Sequence, residues 1–211
     1  MDVIRATTTA VTSVALGRRC FPAVSVEDAE QLRERLGDAL LAGELGGERP
    51  SSFELHNSPT QLLGRADVQR PLVLLSTSGT QLMRAVEGAE AAYVACMRNS
   101  SAAAELLART GHEWVDLIGA SSRGEFREED QLCCAWIGAR LVAAGYEVGD
   151  ERTAQLVDRW RGAPPDAMLS SSSVEYLRRT EQLADLEFVL SHVDDVQTAF
   201  TITSGEVVAL G

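Results

Sequence analysis

Residues 70–76, RPLVLLS, are the most sharply bounded apolar run in the chain, and they lead into TSGT at 77–80 and a helical stretch to about Val86. A short apolar run that ends in a polar turn and continues into a helix is the building unit of an α/β sheet. The alternation repeats. RCFPAV (19–24) reads as a strand and SVEDAEQLRERLG (25–37) as a helix, with Ser25 as cap, Asp28 at the third position and Gly37 as stop. DALLAG (38–43) reads as a buried strand, ELGGERPSS (44–52) as a Gly-rich loop, and FELHNSPTQLLG (53–64) as a loop entering a short helix at Ser58-Pro59. AAYVAC (91–96) and EWVDLIGA (113–120) are strand expectations on either side of a helix at 99–111. An acidic loop, SSRGEFREED (121–130), precedes a helix at 131–145, which Asp130 is placed to cap. ERTAQLVDRWRG (151–162) is an amphipathic helix, PPDAMLSSSS (164–173) a surface connection, and 173–191 helical in part. TAFTIT (198–203) and EVVAL (206–210) meet at a Ser-Gly turn as a hairpin. The expected fold is a three-layer α/β/α arrangement with a mixed sheet, in one domain over 1–211.

The chain also resembles itself. ATTTAVTSVALG laid over TSGTQLMRAVEG places Thr9 on Thr80 and Gly17 on Gly88. Related halves at about 1–66 and 70–145, followed by a helical and hairpin part at 146–211, would set two like turns at one crevice, where open α/β sheets hold ligands. The first turn has only Met1 to Ile4 in front of it, where the second has all of RPLVLLS. The expectation is therefore a truncated N-terminal strand.

Composition narrows the function classes. With 31 acidic residues against 19 Lys and Arg, the net charge is −12. That disfavours nucleic acid as a partner. No run approaches the roughly 18 apolar residues of a membrane span, and the first residues do not read as a secretory leader. Four Cys without a CxxC read as buried thiols of a cytoplasmic protein, and three scattered His show no zinc spacing.

Three sets of residues carry chemistry. The turns at Thr7, Thr8 and Thr9 and at Ser78, Gly79 and Thr80 each open a helix, where free N–H groups and hydroxyls suit a phosphate, and Arg5 and Arg98 are guanidinium clamps. Helix capping is the plainer reading of either turn alone. Asp2, Glu44 and Asp130 deliver carboxylates to the ends of expected strands, which suits Mg²⁺, while Glu125, Glu128 and Glu129 read as a solvated acidic face. Asn57-Ser58 and Asn99 precede helices, as caps or as amide donors to a substrate.

DVIRATTT, GELGGE, HNSP, STSGT, NSSA and GEFREEDQLCCAW occur in this order, and together they resemble the 2-phosphosulfolactate phosphatase family over nearly the whole chain. The resemblance implies a magnesium-dependent phosphatase of coenzyme M biosynthesis, acting on a small phosphorylated acid. It implies site roles for Asp2, Arg5, Thr7 to Thr9, Glu44, Asn57, Ser58, Thr80, Asn99 and Asp130. Asp2, Arg5, Glu44, Asn57 and Asp130 would be catalytic, with Mg²⁺ on Asp2 and on Glu44 or Asp130. Water is the preferred nucleophile and Asp2 the alternative; a homodimer is compatible with this reading. Two departures stand out: His56 replaces a Gly of the family pattern, and Ser78 replaces an Asn. They motivate a second reading, a catalytically degenerate relative that binds a small anion or serves as a subunit. A nucleotide-using enzyme lacks its phosphate fingerprint.

Overall fold

The computed structural model describes residues 1–121 and 125–211, so part of the expected 121–130 loop lies outside the described residues. Three strands are parallel: β1 (Cys20–Ala23), β2 (Leu40–Gly43) and β3 (Leu72–Leu75), with β3 between the other two. Every residue of the three is buried, as expected of strands covered on both faces. The antiparallel part comprises β4 (Tyr93–Val94), β5 (Ala199–Thr203) and β6 (Glu206–Leu210), in the overall order β2-β3-β1-β6-β5-β4. The expected mixed sheet is present. The hairpin turns at Ser204 and Gly205, both at positive φ (52° and 77°), which suits the twist of paired strands.

Alternation along the strands divides the core. Phe21, Ala23, Leu41, Val73 and Leu75 face Ala29 and Leu32 of α2 (Val26–Leu36). Cys20, Leu40, Ala42, Leu72 and Leu74 face the other way. There they meet Ala6, Ala10 and Val11 of α1 (Ala6–Ala15), Leu62 of α3 (Pro59–Leu63) and Met83 of α4 (Gly79–Ala85). A third cluster gathers α5 (Ser100–Thr110), α6 (Glu128–Ala143), α7 (Glu151–Trp160), α8 (Ser172–Arg179) and α9 (Leu183–Ser191) around Val3, Ile137 and Met168.

The helix signals act as read. Ser25 Oγ accepts from Asp28 N at 3.0 Å, and Asp28 Oδ2 accepts from Val24 N at 2.9 Å. Each satisfies a donor that the helix start leaves open. Ser58 caps α3 with Pro59 in its first turn. Glu181, at φ 57°, separates α8 from α9.

Two expectations are corrected. EWVDLIGA (113–120) is not a strand. Among the described residues its backbone bonds only to Met1, through Met1 N to Ile118 O (2.5 Å) and Ala120 N to Met1 O (2.6 Å). A ladder needs a partner along its length, and Trp114 and Ile118 stay 69% and 45% exposed. Asp130 is not a cap, because α6 begins at Glu128 and Arg127 holds the N-cap position. The strand at 91–96 is also shorter than its apolar run, reduced to Tyr93–Val94.

Gly43 ends β2 at φ 152°, where a Cβ would lie 2.2 Å from the Leu75 carbonyl oxygen. This close approach lets Glu44 N bond to Leu75 O at 3.0 Å. Replacing Gly43 by Ala forces β2 and β3 apart; chemical denaturation is expected to show a loss of about 2–4 kcal/mol.

Candidate active site

A polar cavity of about 480 Å³ opens beyond the carboxyl ends of β2 and β3. Among the expected site residues, Asp2, Arg5, Glu44, Asn57, Ser78 and Asp130 line it. The chain draws them from residues 2 to 130; Asp2, Ile4 and Arg5 from the start of the chain meet Thr77 and Ser78 of the second turn there, while Thr7, Thr8 and Thr9 do not line the cavity.

Asp2 is set by its neighbours. Thr7 Oγ1 accepts from Asp2 N at 2.9 Å and donates to Asp2 O at 2.7 Å, while Thr7 N donates to the same carbonyl at 2.9 Å. Thr8 Oγ1 donates to Val3 O at 2.7 Å. These hydroxyls are spent holding the backbone that carries Asp2. Thr9 is fully buried, and its Oγ1 finds no partner. From the second turn, Gly79 packs so closely that a Cβ would sit 2.3 Å from Asp2 Oδ2 and 2.6 Å from Ala6 Cβ. A side chain there would displace the carboxylate.

Asp130 sits beside Asp2, its Oδ1 accepting from Val3 N at 2.7 Å. Burial pushes the Asp2 carboxyl up to about 6, with Glu129 and Glu44 adding repulsion and the Ala6 N–H opposing it. Burial also raises Asp130 well above the carboxylate range, reinforced by Asp2 and Glu129. Glu129 is 1% exposed, and its Oε2 has no hydrogen-bond partner. Like charges held in a poorly hydrated space resist ionising together.

Glu44 plays a different part. Its Oε1 accepts from Thr77 N, and its Oε2 accepts from Thr77 Oγ1 and Gly47 N, all at 2.7 Å. It ties the Gly-rich loop to the Ser-Thr turn. Asn57 is buried at the cavity wall, and its Oδ1 has no partner among the described residues. Arg5 is gripped through Nη1 by Asp185 Oδ2 (2.5 Å) and the Gln182 amide oxygen. Asp185 Oδ1 accepts from Ser58 Oγ at 2.7 Å and Thr60 Oγ1 at 2.6 Å. Ser58 is therefore a strut for α3 and α9. His56 does not line the cavity; burial, with Arg49 and Arg5, holds its imidazole below the usual value.

Thr80, Asn99 and Arg98, like Thr7 to Thr9, Ser58 and Gly79, do not line the cavity. Thr80 exchanges hydrogen bonds with Ser76, at 2.8–3.0 Å. Asn99 spans Cys96 N and Val94 O. Arg98 pairs with Asp195 through Nε (3.0 Å) and Nη2 (2.6 Å), donates to Thr12 Oγ1, and lies over Phe188. All three are internal braces. The cavity instead holds Arg127 and Arg179, with Ser172, Ser173 and Tyr176. Sequence reasoning passed over these. The only signal was the pair Arg178-Arg179 after a run of serines, which reads as an ordinary solvated face.

The family model for 2-phosphosulpholactate phosphatase matches residues 1–202. The chain belongs to that family. Membership brings the enzyme class, a phosphoric monoester hydrolase acting on a small anionic substrate. A relative from Deinococcus radiodurans, described as a "probable 2-phosphosulfolactate phosphatase", is 33% identical over 192 residues, 89% of this chain and 80% of its own length. Relatives under the same description from Synechocystis and Pseudothermotoga lettingae are 29% and 32% identical, over 89% and 72% of this chain. The match spans 81% of the former's length and 62% of the latter's, under two thirds in that second case.

Among the described residues, no group of three or more His, Cys, Asp or Glu is arranged to hold a metal. Mg²⁺ asks for less: one or two carboxylates, with waters and substrate phosphate completing the shell. The buried Asp2 and Asp130 carboxylates and the Asn57 amide oxygen, which has no partner among the described residues, fit that demand.

The raised carboxyls carry a sign. The folded chain binds more protons than the unfolded one between the usual 3.8 and about 6 at Asp2, so stability present in acid is lost as pH rises through that window. In metal-free protein, the melting temperature is expected to fall by on the order of 5 °C from pH 4.5 to 7. Asp130→Asn, which removes one of the repelling charges, should flatten that fall in a calorimetric pH series.

Proposed function

We propose that the chain hydrolyses 2-phosphosulfolactate to sulfolactate and phosphate with Mg²⁺, as a step of coenzyme M biosynthesis. The observation that carries this reading is the buried Asp2 and Asp130 carboxylates side by side at the wall of a polar cavity, in a chain of this family. Asp2 and Asp130 would hold the metal, with the Asn57 amide oxygen beside them. Bound there, Mg²⁺ would supply positive charge against the phosphate oxygens.

The remaining roles belong to side chains. Arg5 keeps Nε and Nη2 without protein partners among the described residues, while Asp185 fixes the orientation of its guanidinium. It is available to bind a phosphate oxygen. Ser78 offers a hydroxyl from the same wall, and Glu44 sets the Ser76–Gly79 turn by gripping Thr77. Thr7 and Thr8 hold Asp2 and Val3 in place. Water attacks phosphorus, the ester P–O bond breaks, and the departing sulfolactate oxygen takes a proton. A water nucleophile suits a wall on which no Ser, Cys or His is paired with a base.

No helix among the described residues is long and apolar enough to cross a membrane, and the reading places the work in the cytoplasm. The test is Mg²⁺-dependent phosphate release from 2-phosphosulfolactate. Asp2→Asn and Asp130→Asn are each expected to lower kcat by about 100-fold or more. Equal release by wild type and both variants would overturn the assignment.

A further inference from the structure

The cavity has two poles. At one stand Asp2, Asp130 and Asn57, which the reading above gives to the metal and the phosphoryl group. Arg127 belongs to that end: it holds the N-cap of α6, three residues before Asp130, and donates to Ser172 Oγ. Arg179 marks the other end. It lies seven residues along α8 from Ser172, about 10 Å at the rise of a helix, and still lines the cavity.

Arg179 is placed without being consumed. Its guanidinium lies over the Tyr176 ring, 5.9 Å from the centroid. Tyr176 Oη donates to Gly47 O at 2.5 Å, and a Cβ at Gly47 would come within 3.2 Å of the same ring. Gly47 N is bonded to Glu44, which grips Thr77. Rigid contacts therefore connect the far end of α8 to the turn beside Asp2. Among the described residues Arg179 has no ion pair, and residues 122–124, Ser-Arg-Gly, contain no acid. In a chain of net charge −12, an arginine left unpaired at the wall of a cavity is open to an external oxyanion. The guanidinium fork suits such a group, whereas a lone ammonium does not offer paired donors.

We propose that Arg179 receives the sulfonate of the substrate and sets specificity for phosphorylated acids that carry a sulfonate besides the phosphate and the carboxylate. This rests on the phosphatase reading, and the assignment is of substrate binding rather than of the chemical step. Tyr176 is its positioning residue.

The test compares two esters that differ only in that group, 2-phosphosulfolactate and 2-phospholactate, with the full chain and Mg²⁺. Arg179→Gln is expected to raise KM for the sulfonated ester about 10–100-fold more than for 2-phospholactate, with the sulfonate-dependent loss in KM rather than kcat. Arg179→Lys should recover part of that loss. In calorimetry, the variant should bind sulfolactate at least tenfold more weakly while lactate binding changes little. Melting within about 2 °C of wild type would show that the fold is intact. Equal effects on both esters, or no effect on either, would overturn the proposal. Should wild type release phosphate from neither ester, the phosphatase reading fails on its own. The sulfolactate calorimetry then decides separately: weakened binding in Arg179→Gln upholds the subsite, and unchanged binding removes it.

Discussion

Two carboxylates that repel one another across a nearly dry space are the constraint on which this architecture rests. Asp2 and Asp130 come from elements far apart in sequence; burial raises both carboxyls, and the Asp2 charge adds to the cost of ionising Asp130. Such a pair persists only where the surroundings leave it no alternative position. Val3 N fixes Asp130, Thr7 fixes the backbone of Asp2, and the absence of a side chain at Gly79 leaves Asp2 its space. The fold thus holds negative charge in reserve, and a dication would relieve the repulsion.

A second carboxylate has the opposite economy. Asp185 is buried but fully answered: Arg5 on one oxygen, and Ser58 and Thr60 on the other. Its charge is compensated, so it contributes rigidity. It joins α9 to the beginnings of α1 and α3, the same segments that present Arg5 and Asn57 to the cavity. One buried acid is therefore structural and the other two are frustrated. The difference lies in the donors around them, not in burial.

The α/β class and the mixed sheet were legible because apolar runs such as 72–75 and capped helices such as 26–36 follow local rules. The segment 113–120 misled for the converse reason. Its apolar content satisfies a local pattern, but whether it becomes a strand depends on a partner elsewhere. Asp2 and Glu44 were expected from the apolar strand residues before them, Asp130 from the acidic loop and Asn57 from the helix start after it, and all four line one cavity. The threonines were recognised as a motif, but the hydroxyls of Thr7 and Thr8 turn inward to the backbone, a direction that sequence does not encode. Arg98 and Arg179 show the limit most clearly. Each is an arginine near polar residues, yet one meets Asp195 and the other meets none, and only the tertiary arrangement decides which.

The central position of β6 has a consequence for how the molecule comes into being. Residues 206–210 lie between β1 and β5, so the parallel and antiparallel portions of the sheet join only once these residues, far along the chain from β1, are available. Arg5 likewise waits for Asp185, 180 residues later. During synthesis, β1 must leave the ribosome with one edge open, and such edges are where nascent chains pair wrongly. With so many contacts between distant positions, assembly should be slow and late. Vectorial synthesis would then deliver an inert chain until residues 206–210 emerge, and the cleft would become competent only after they pair.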